Sequence, residues 1–302
     1  VGQEHVVEYV LMAVFLQGHV LLEGVPGLGK TLLMNTLGDV LGLGVSRVQF
    51  TPDLMPADII GTRVLQQDEK GQVRFDFERG PVFTQVLLAD EINRATPKTQ
   101  SALLQAMQER HVTVGGTTYK LPEPFIVMAT QNPLESEGTY PLPEAQLDRF
   151  MFKLLVRFPT QLELVEIVRR TAETRVAKAE RVFESPQKIL AWGKLLRRVP
   201  VATAVLDAAA RLLLASHPRE DGADYQTVGK HIRYGASPRG LQGMVMAAKI
   251  RAVLDGRFSV SREDILQVAK PCLRHRLLLT FEAESEGIRS DNLIDRIAQS
   301  IK

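Results

Sequence analysis

Short apolar runs alternate with helix-like spacing through the first half of the chain, and after Pro159 only the helical spacing continues. Runs at residues 19–22, 46–50, 86–89, 125–129 and 151–156 are short and largely apolar, as strands covered on both faces should be. Alternation of strand and helix predicts an α/β fold with a mostly parallel five-stranded sheet. Residues 112–121 alternate around Gly115-Gly116, and residues 61–80 form a second glycine-flanked β stretch, so two hairpins are expected to project from that sheet.

Beyond Pro159 the helix starts are marked. Thr160 with Glu163 and Ser261 with Asp264 read as capping boxes, while Ser185-Pro186 and Ser237-Pro238 place proline at a first helical position. Residues 202–215 are apolar nearly all round and are expected to form the buried helix of a helical domain.

At 302 residues with 45% hydrophobic and 24% charged content, disordered, collagen-like and disulfide-scaffold chains are excluded. One core rarely serves that length, so two domains are expected, 1–158 and 159–302. The lone Cys272 cannot form an internal disulfide; it fits a reducing, cytoplasmic setting and reads as core filler. No apolar run is long enough to span a membrane. Val1 has neither an initiator methionine nor a signal-like flank, so the sequence is expected to begin inside a longer chain.

Charge is unevenly placed. Residues 1–158 hold 13 Lys and Arg against 18 Asp and Glu, a net −5, whereas residues 159–302 hold 24 against 17, a net +7. An acidic front and a basic back suit ordinary solvated faces, a head-to-tail contact between copies, or an anionic ligand where the halves meet.

The chemistry concentrates in Gly24-Val25-Pro26-Gly27-Leu28-Gly29-Lys30-Thr31, a G-x-x-x-x-G-K-[ST] loop placed after one predicted strand and before a predicted helix. Such a loop curls backbone N–H groups around phosphates, with Lys30 reaching the β and γ oxygens and Thr31 holding Mg²⁺. Asp90 and Glu91 follow the third apolar run, where a parallel sheet meets its ligand. Asp90 is expected to orient the waters of Mg²⁺ and Glu91 to activate the attacking water; the bland alternative is that Asp90 caps the next helix. Because neighbours on a strand point to opposite sides, the two acids are expected to have separate roles. Asn132, after the fourth run, could hold water in line, although asparagine before proline is also a common turn.

Arg149 and Arg239 are of the residue type that stabilises charge on a transferring phosphoryl group, although an arginine taken singly is more often a surface ion pair. The six histidines, His5, His19, His111, His217, His231 and His275, show no zinc-binding spacing and read as structural. No serine-nucleophile elbow is present.

Several stretches are more specific than any single motif. These are His19-Val20-Leu21-Leu22-Glu23-Gly24-Val25-Pro26-Gly27, Phe50-Thr51-Pro52-Asp53-Leu54-Met55-Pro56, Asp90-Glu91-Ile92-Asn93-Arg94-Ala95 and Gln100-Ser101-Ala102-Leu103-Leu104. Thr130-Gln131-Asn132-Pro133, Gly138-Thr139-Tyr140-Pro141-Leu142-Pro143-Glu144 with its continuation through Asp148-Arg149-Phe150, and Tyr234-Gly235-Ala236-Ser237-Pro238-Arg239 complete them. Over nearly its whole length the chain resembles the MoxR family of AAA+ ATPases.

That resemblance implies a five-stranded αβα P-loop core followed by an α-helical lid, with ATP or ADP and Mg²⁺ between them, and assembly into rings, usually hexamers. It implies that Lys30 and Thr31 are Walker A, Asp90 and Glu91 Walker B, Asn132 sensor 1, Arg149 an arginine finger reaching the adjacent subunit, and Arg239 sensor 2. It also implies that Val1, Gly2 and Gln3 begin the adenine-contacting segment. The helix-2 insert would fall within 52–80 and the pre-sensor-1 hairpin within 111–121.

The function implied is a remodelling chaperone for complex maturation or metal insertion, acting with a protein bearing a von Willebrand factor A domain and on a protein client. A nucleic-acid motor or loader is the alternative. Against it, residues 111–121 hold Lys120 alone among Lys and Arg.

Overall fold

The computed structural model describes residues 1–67, 73–133, 138–172, 179–218 and 228–300, the last without its side chain. The chain clusters into two compact units, Val1–Leu142 with Leu154–Leu190, and Pro143–Lys153 with Ala191–Lys302. In chain order the elements begin α1 (Glu4–Leu16), β1 (Val20–Glu23), α2 (Lys30–Leu41), β2 (Val45–Gln49), α3 (Pro56–Ile60), β3 (Gly61–Gln67), β4 (Val73–Arg79) and β5 (Val86–Asp90). They continue with α4 (Pro97–Glu109), β6 (His111–Val114), β7 (Thr117–Lys120), β8 (Ile126–Gln131), α5 (Glu144–Leu147), β9 (Phe152–Leu155) and α6 (Gln161–Ala172). The remainder are α7 (Pro186–Arg197), α8 (Thr203–Ala215), β10 (Ile232–Tyr234), α9 (Pro238–Leu254), α10 (Arg262–Leu273), β11 (Leu278–Leu279), α11 (Phe281–Ser285) and α12 (Ser290–Ser300).

The five apolar runs form one sheet in the order β2-β5-β8-β1-β9, in which β2 with β5, β5 with β8 and β8 with β1 pair in parallel. Val20 to Leu22, Val86 to Ala89 and Ile126 to Ala129 are wholly buried, which is why these strands are continuous apolar runs rather than alternating ones. His19 ties the first strand to its surroundings. Its Nδ1 accepts from the Val127 N–H at 3.0 Å, which leaves Nε2 to donate to the Met107 carbonyl at 3.1 Å. Burial, with a smaller contribution from the Arg110 charge, lowers the pKa of this imidazole to about 3, so it is neutral.

Both expected hairpins form, as β3–β4 and β6–β7, each a separate antiparallel pair; the tip of the first lies outside the described residues. They also touch each other, Phe77 stacking on Tyr119 with ring centroids 4.2 Å apart. Leu65, Val73 and Phe75 on the β3–β4 hairpin remain more than 60% exposed, which is unusual for large apolar side chains.

The capping boxes close as expected: Thr160 N–H donates to Glu163 Oε2 at 2.7 Å, and Ser261 N–H to Asp264 Oδ2 at 2.7 Å. The expected buried helix is different. In α8 only Ala208, Ala209, Leu212 and Leu213 are buried, while Leu206 and Leu214 are exposed among the described residues. The helix enclosed by its neighbours is α9, packed against α8 and α10, whose Gly240, Gly243, Ala247 and Ala248 permit close approach. A Cβ on Gly240 would lie 2.9 Å from Leu273 Cδ2. Cys272 is buried in α10 and burial pushes its thiol up to about 12, in keeping with a packing role. Among the described residues no helix is long and apolar enough to cross a membrane.

Candidate nucleotide site

The loop from Gly24 to Gly29 leaves β1 and feeds α2 at Lys30. Gly27 (φ 82°) and Gly29 (φ 77°) occupy the left-handed region, where a side chain would be strained. Gly24 is needed for a different reason: its Cβ would fall 2.8 Å from both the Val156 Cβ and the Val156 carbonyl oxygen. The loop, the β2 end, the β5 end and the β8 end enclose a cleft of about 270 Å³. Its lining is Pro26, Gly27, Gly29, Lys30 and Thr31 from the loop, Arg47 and Gln49 from β2, and Asp90, Glu91 and Asn132.

Of the residues singled out in the sequence, the structure thus brings Pro26, Gly27, Gly29, Lys30, Thr31, Asp90, Glu91 and Asn132 around one space. Gly24, Val25 and Leu28 shape the loop without lining it. Val1, Gly2 and Gln3 are not in the lining either. Gly2 and Gln3 are tied down by Arg157, whose carbonyl accepts from Gln3 Nε2 at 3.0 Å and whose Nη2 donates to the Gly2 carbonyl at 3.2 Å.

Lys30 Nζ donates to the Gly24 carbonyl at 2.7 Å. Burial in the cleft holds its pKa below the ordinary ammonium value, with Asp90 and Glu91 pulling the other way. Asp90 does not cap a helix. Its Oδ1 accepts from Thr130 Oγ1 at 2.6 Å, and its Oδ2 from Arg47 Nη2 at 2.7 Å and Nε at 3.2 Å.

Glu91 lies past the end of β5 in the left-handed conformation (φ 56°, ψ 49°), a strained state for a residue with a side chain. That turn overrides the alternation expected of strand neighbours, so both carboxylates face the same cleft. Thr130 Oγ1 accepts from the Glu91 N–H at 2.8 Å and pins the turn, while Glu91 Oε2 accepts from Gln49 Nε2 at 2.7 Å and stands 3.2 Å from Arg94 Nη1.

Arg149 and Arg239 belong to the second unit. Arg239 Nη1 stands 3.6 Å from Asp148 Oδ2, and Ser237 Oγ donates to Asp148 Oδ1 at 2.6 Å. Arg149 is half-buried. Its turn is gripped by the buried Arg276, which donates to Asp148 Oδ1 at 2.8 Å, to the Asp148 carbonyl at 2.9 Å and to the Phe150 carbonyl at 2.8 Å. Burial lowers the Arg276 pKa, an effect that Asp148 opposes.

Arg47, Gln49, Thr130 and Arg276 were not found by sequence reasoning. The first two sit in a strand that pairs Gln49 opposite Asp90, a register no local motif reveals.

The donor set suits a magnesium nucleotide. Open space lies at the Cβ positions of Gly27 and Gly29, a helix N-terminus follows, and an ammonium, a hydroxyl and two carboxylates converge. A P-loop after β1 with paired acids after β5 defines a P-loop ATPase, and residues 19–152 match the ATPase family associated with various cellular activities, AAA. Residues 225–297 match the AAA lid domain.

The chaperone MoxR1 of Mycobacterium tuberculosis is 46% identical over 307 residues, covering 100% of this chain and 78% of that protein. The protein MoxR of Paracoccus denitrificans is 32% identical, over 95% of this chain and 88% of its own length. The chain belongs to the MoxR family of AAA+ ATPases. A proposed ATPase from Cytophaga hutchinsonii, known from its crystal structure, superposes with a TM-score of 0.91 at 41% identity over 99% of this chain and 89% of that one.

Proposed function

We propose that this chain hydrolyses ATP with Mg²⁺ in the cleft and uses the cycle as a ring-forming, hexameric remodelling chaperone. The observation that carries the reading is the convergence of Lys30, Thr31, Asp90, Glu91 and Asn132 on one small cleft. Lys30 exchanges the Gly24 carbonyl for β and γ phosphate oxygens, and the N–H groups of the loop hold the remaining phosphate charge. Thr31 and Asp90 hold Mg²⁺, which when bound neutralises charge between the β and γ phosphates. Asn132 orients a water, and Glu91 takes its proton at the carboxylate once Gln49 and Arg94 no longer occupy it. Gly2 and Gln3 start the segment that meets the adenine.

Arg149 completes the site of an adjacent copy, and Arg239 senses the γ phosphate from the lid. A finger acting in trans contributes roughly 10³ to 10⁵ in rate, so loss of the γ phosphate changes what these guanidiniums are attracted to and with it the subunit contact. The partner of this reading carries a von Willebrand factor A domain, and the work is complex maturation or metal insertion; support for both is the family resemblance. The exposed Leu65, Val73 and Phe75 supply a surface for a protein client.

Mixing two inactive variants, Glu91→Gln and Arg149→Ala, tests the reading. Some interfaces then pair an intact Glu91 with an intact Arg149, and ATP turnover returns in part. Co-assembly without any recovered turnover would sink the shared site.

A further inference from the structure

His231 is a buried histidine that lies outside the nucleotide cleft. It is 3% exposed, and neither Nδ1 nor Nε2 has a hydrogen-bond partner among the described residues. The other buried imidazoles differ in degree: His19 has partners at both nitrogens, and His275 has one at Nε2, 3.0 Å from the Phe150 carbonyl, while its Nδ1 has none among the described residues. An imidazole removed from water without partners is a costly arrangement that structural packing alone does not explain.

Two carboxylates stand on the same side of His231. Its Nε2 is 3.4 Å from Glu286 Oε2, outside hydrogen-bond geometry, and one ligand atom from each of His231, Glu282 and Glu286 falls within a 4.8 Å cluster. Glu282 and Glu286 are one helical turn apart, joined by the Glu286 N–H donating to the Glu282 carbonyl at 3.0 Å.

The frame is built rather than incidental. β10 pairs with β11 through Ile232 and Leu279, the Thr280 N–H donates to the His231 carbonyl at 3.0 Å, and Thr280 Oγ1 donates to the Lys230 carbonyl at 3.1 Å. Thr280 also caps α11, its hydroxyl accepting from the Ala283 N–H at 3.3 Å. The turn that ends at His231, just before β10, and the start of α11, which carries Glu282 and is capped at its C-terminus by Glu286, are therefore held by one residue.

We propose that His231, Glu282 and Glu286 bind a divalent transition metal of the zinc type. Two ligands about 2.0 to 2.1 Å from a tetrahedral ion lie about 3.3 Å apart, which matches the 3.4 Å between Nε2 and Oε2. An imidazole with two carboxylates and room for water suits zinc, whereas magnesium and calcium take oxygen ligands. Lys230 Nζ, which donates to Glu282 Oε1 at 3.4 Å and is partly exposed, competes for the site. The ion gives the buried imidazole its missing partner and staples the β10–β11 pair to α11. None of its ligands lines the nucleotide cleft.

The test uses the full chain without a histidine tag, stripped of metal and nucleotide, titrated with Co²⁺ as a spectroscopic stand-in and with Zn²⁺ measured by elemental analysis. The expected result is one equivalent per chain with the visible bands of a cobalt site bearing nitrogen and oxygen ligands. Glu282→Gln and Glu286→Gln, at exposed positions that leave the melting curve intact without metal, each weaken binding about 100-fold or more. Lys230→Gln strengthens it. A wild-type chain that takes up no cobalt, or glutamate variants that hold it as tightly as wild type, would overturn the assignment.

Discussion

Asp90 accepts from Thr130 and from Arg47 at once, so the carboxylate that a magnesium nucleotide requires already has a cation on it. Arg47 is half exposed, and such an ion pair contributes about 0.2 to 1 kcal/mol. Arg47→Ala is therefore expected to tighten magnesium–ATP binding about 1.4- to 5-fold, as read by calorimetry. Weaker binding would mean that Arg47 touches the phosphates instead. Lys30, Thr31, Asp90 and Glu91 were legible because each sits in a local motif whose meaning depends on neighbours in sequence. Arg47 and Gln49 were not, since their position beside Asp90 and Glu91 follows from strand register. Nor was the left-handed turn at Glu91, which no glycine announces.

Element placement follows the hydrophobic pattern closely for the sheet, because strands buried on both faces leave an unbroken apolar signature. That pattern also placed α8 but not its buried face, because alanine and leucine nearly all round the helix said nothing of which side would be covered. His19 shows what an element's position does to a side chain: placed at the start of β1 it titrates near pH 3 instead of 6.5. Its folded pKa is depressed, so the unfolded chain binds the extra proton first, and stability falls as the pH drops below 6.5 toward 3. Urea titrations across that range should show His19→Asn with a flatter pH dependence than wild type, by on the order of a few kcal/mol at the acid end. Equal slopes would mean that other groups set the acid sensitivity.

On the scale of the whole molecule, the proposed completion of each site by a second copy would make activity a property of assembly. Turnover per chain is expected to rise steeply with protein concentration and to plateau where sedimentation shows the oligomer; a flat profile across dissociation would remove Arg149 from the neighbour's site. The change in pattern after Pro159 suggested two units but not their bounds, since residues 159–190 cluster with the first unit and the second resumes at Ala191. That the segment Pro143–Lys153 clusters with the later helices was not legible, because the grip comes from Arg276, over a hundred residues downstream.

Asp148 is the anchor of that arrangement, shared by Arg276, Ser237 and Arg239 and adjacent to Arg149. One carboxylate therefore pairs with one of the two proposed guanidiniums, Arg239, and anchors the turn that carries the other, Arg149. Lesions at 149 and 239 should show epistasis through it, and Asp148→Ala should resemble a double defect while leaving both arginines in place.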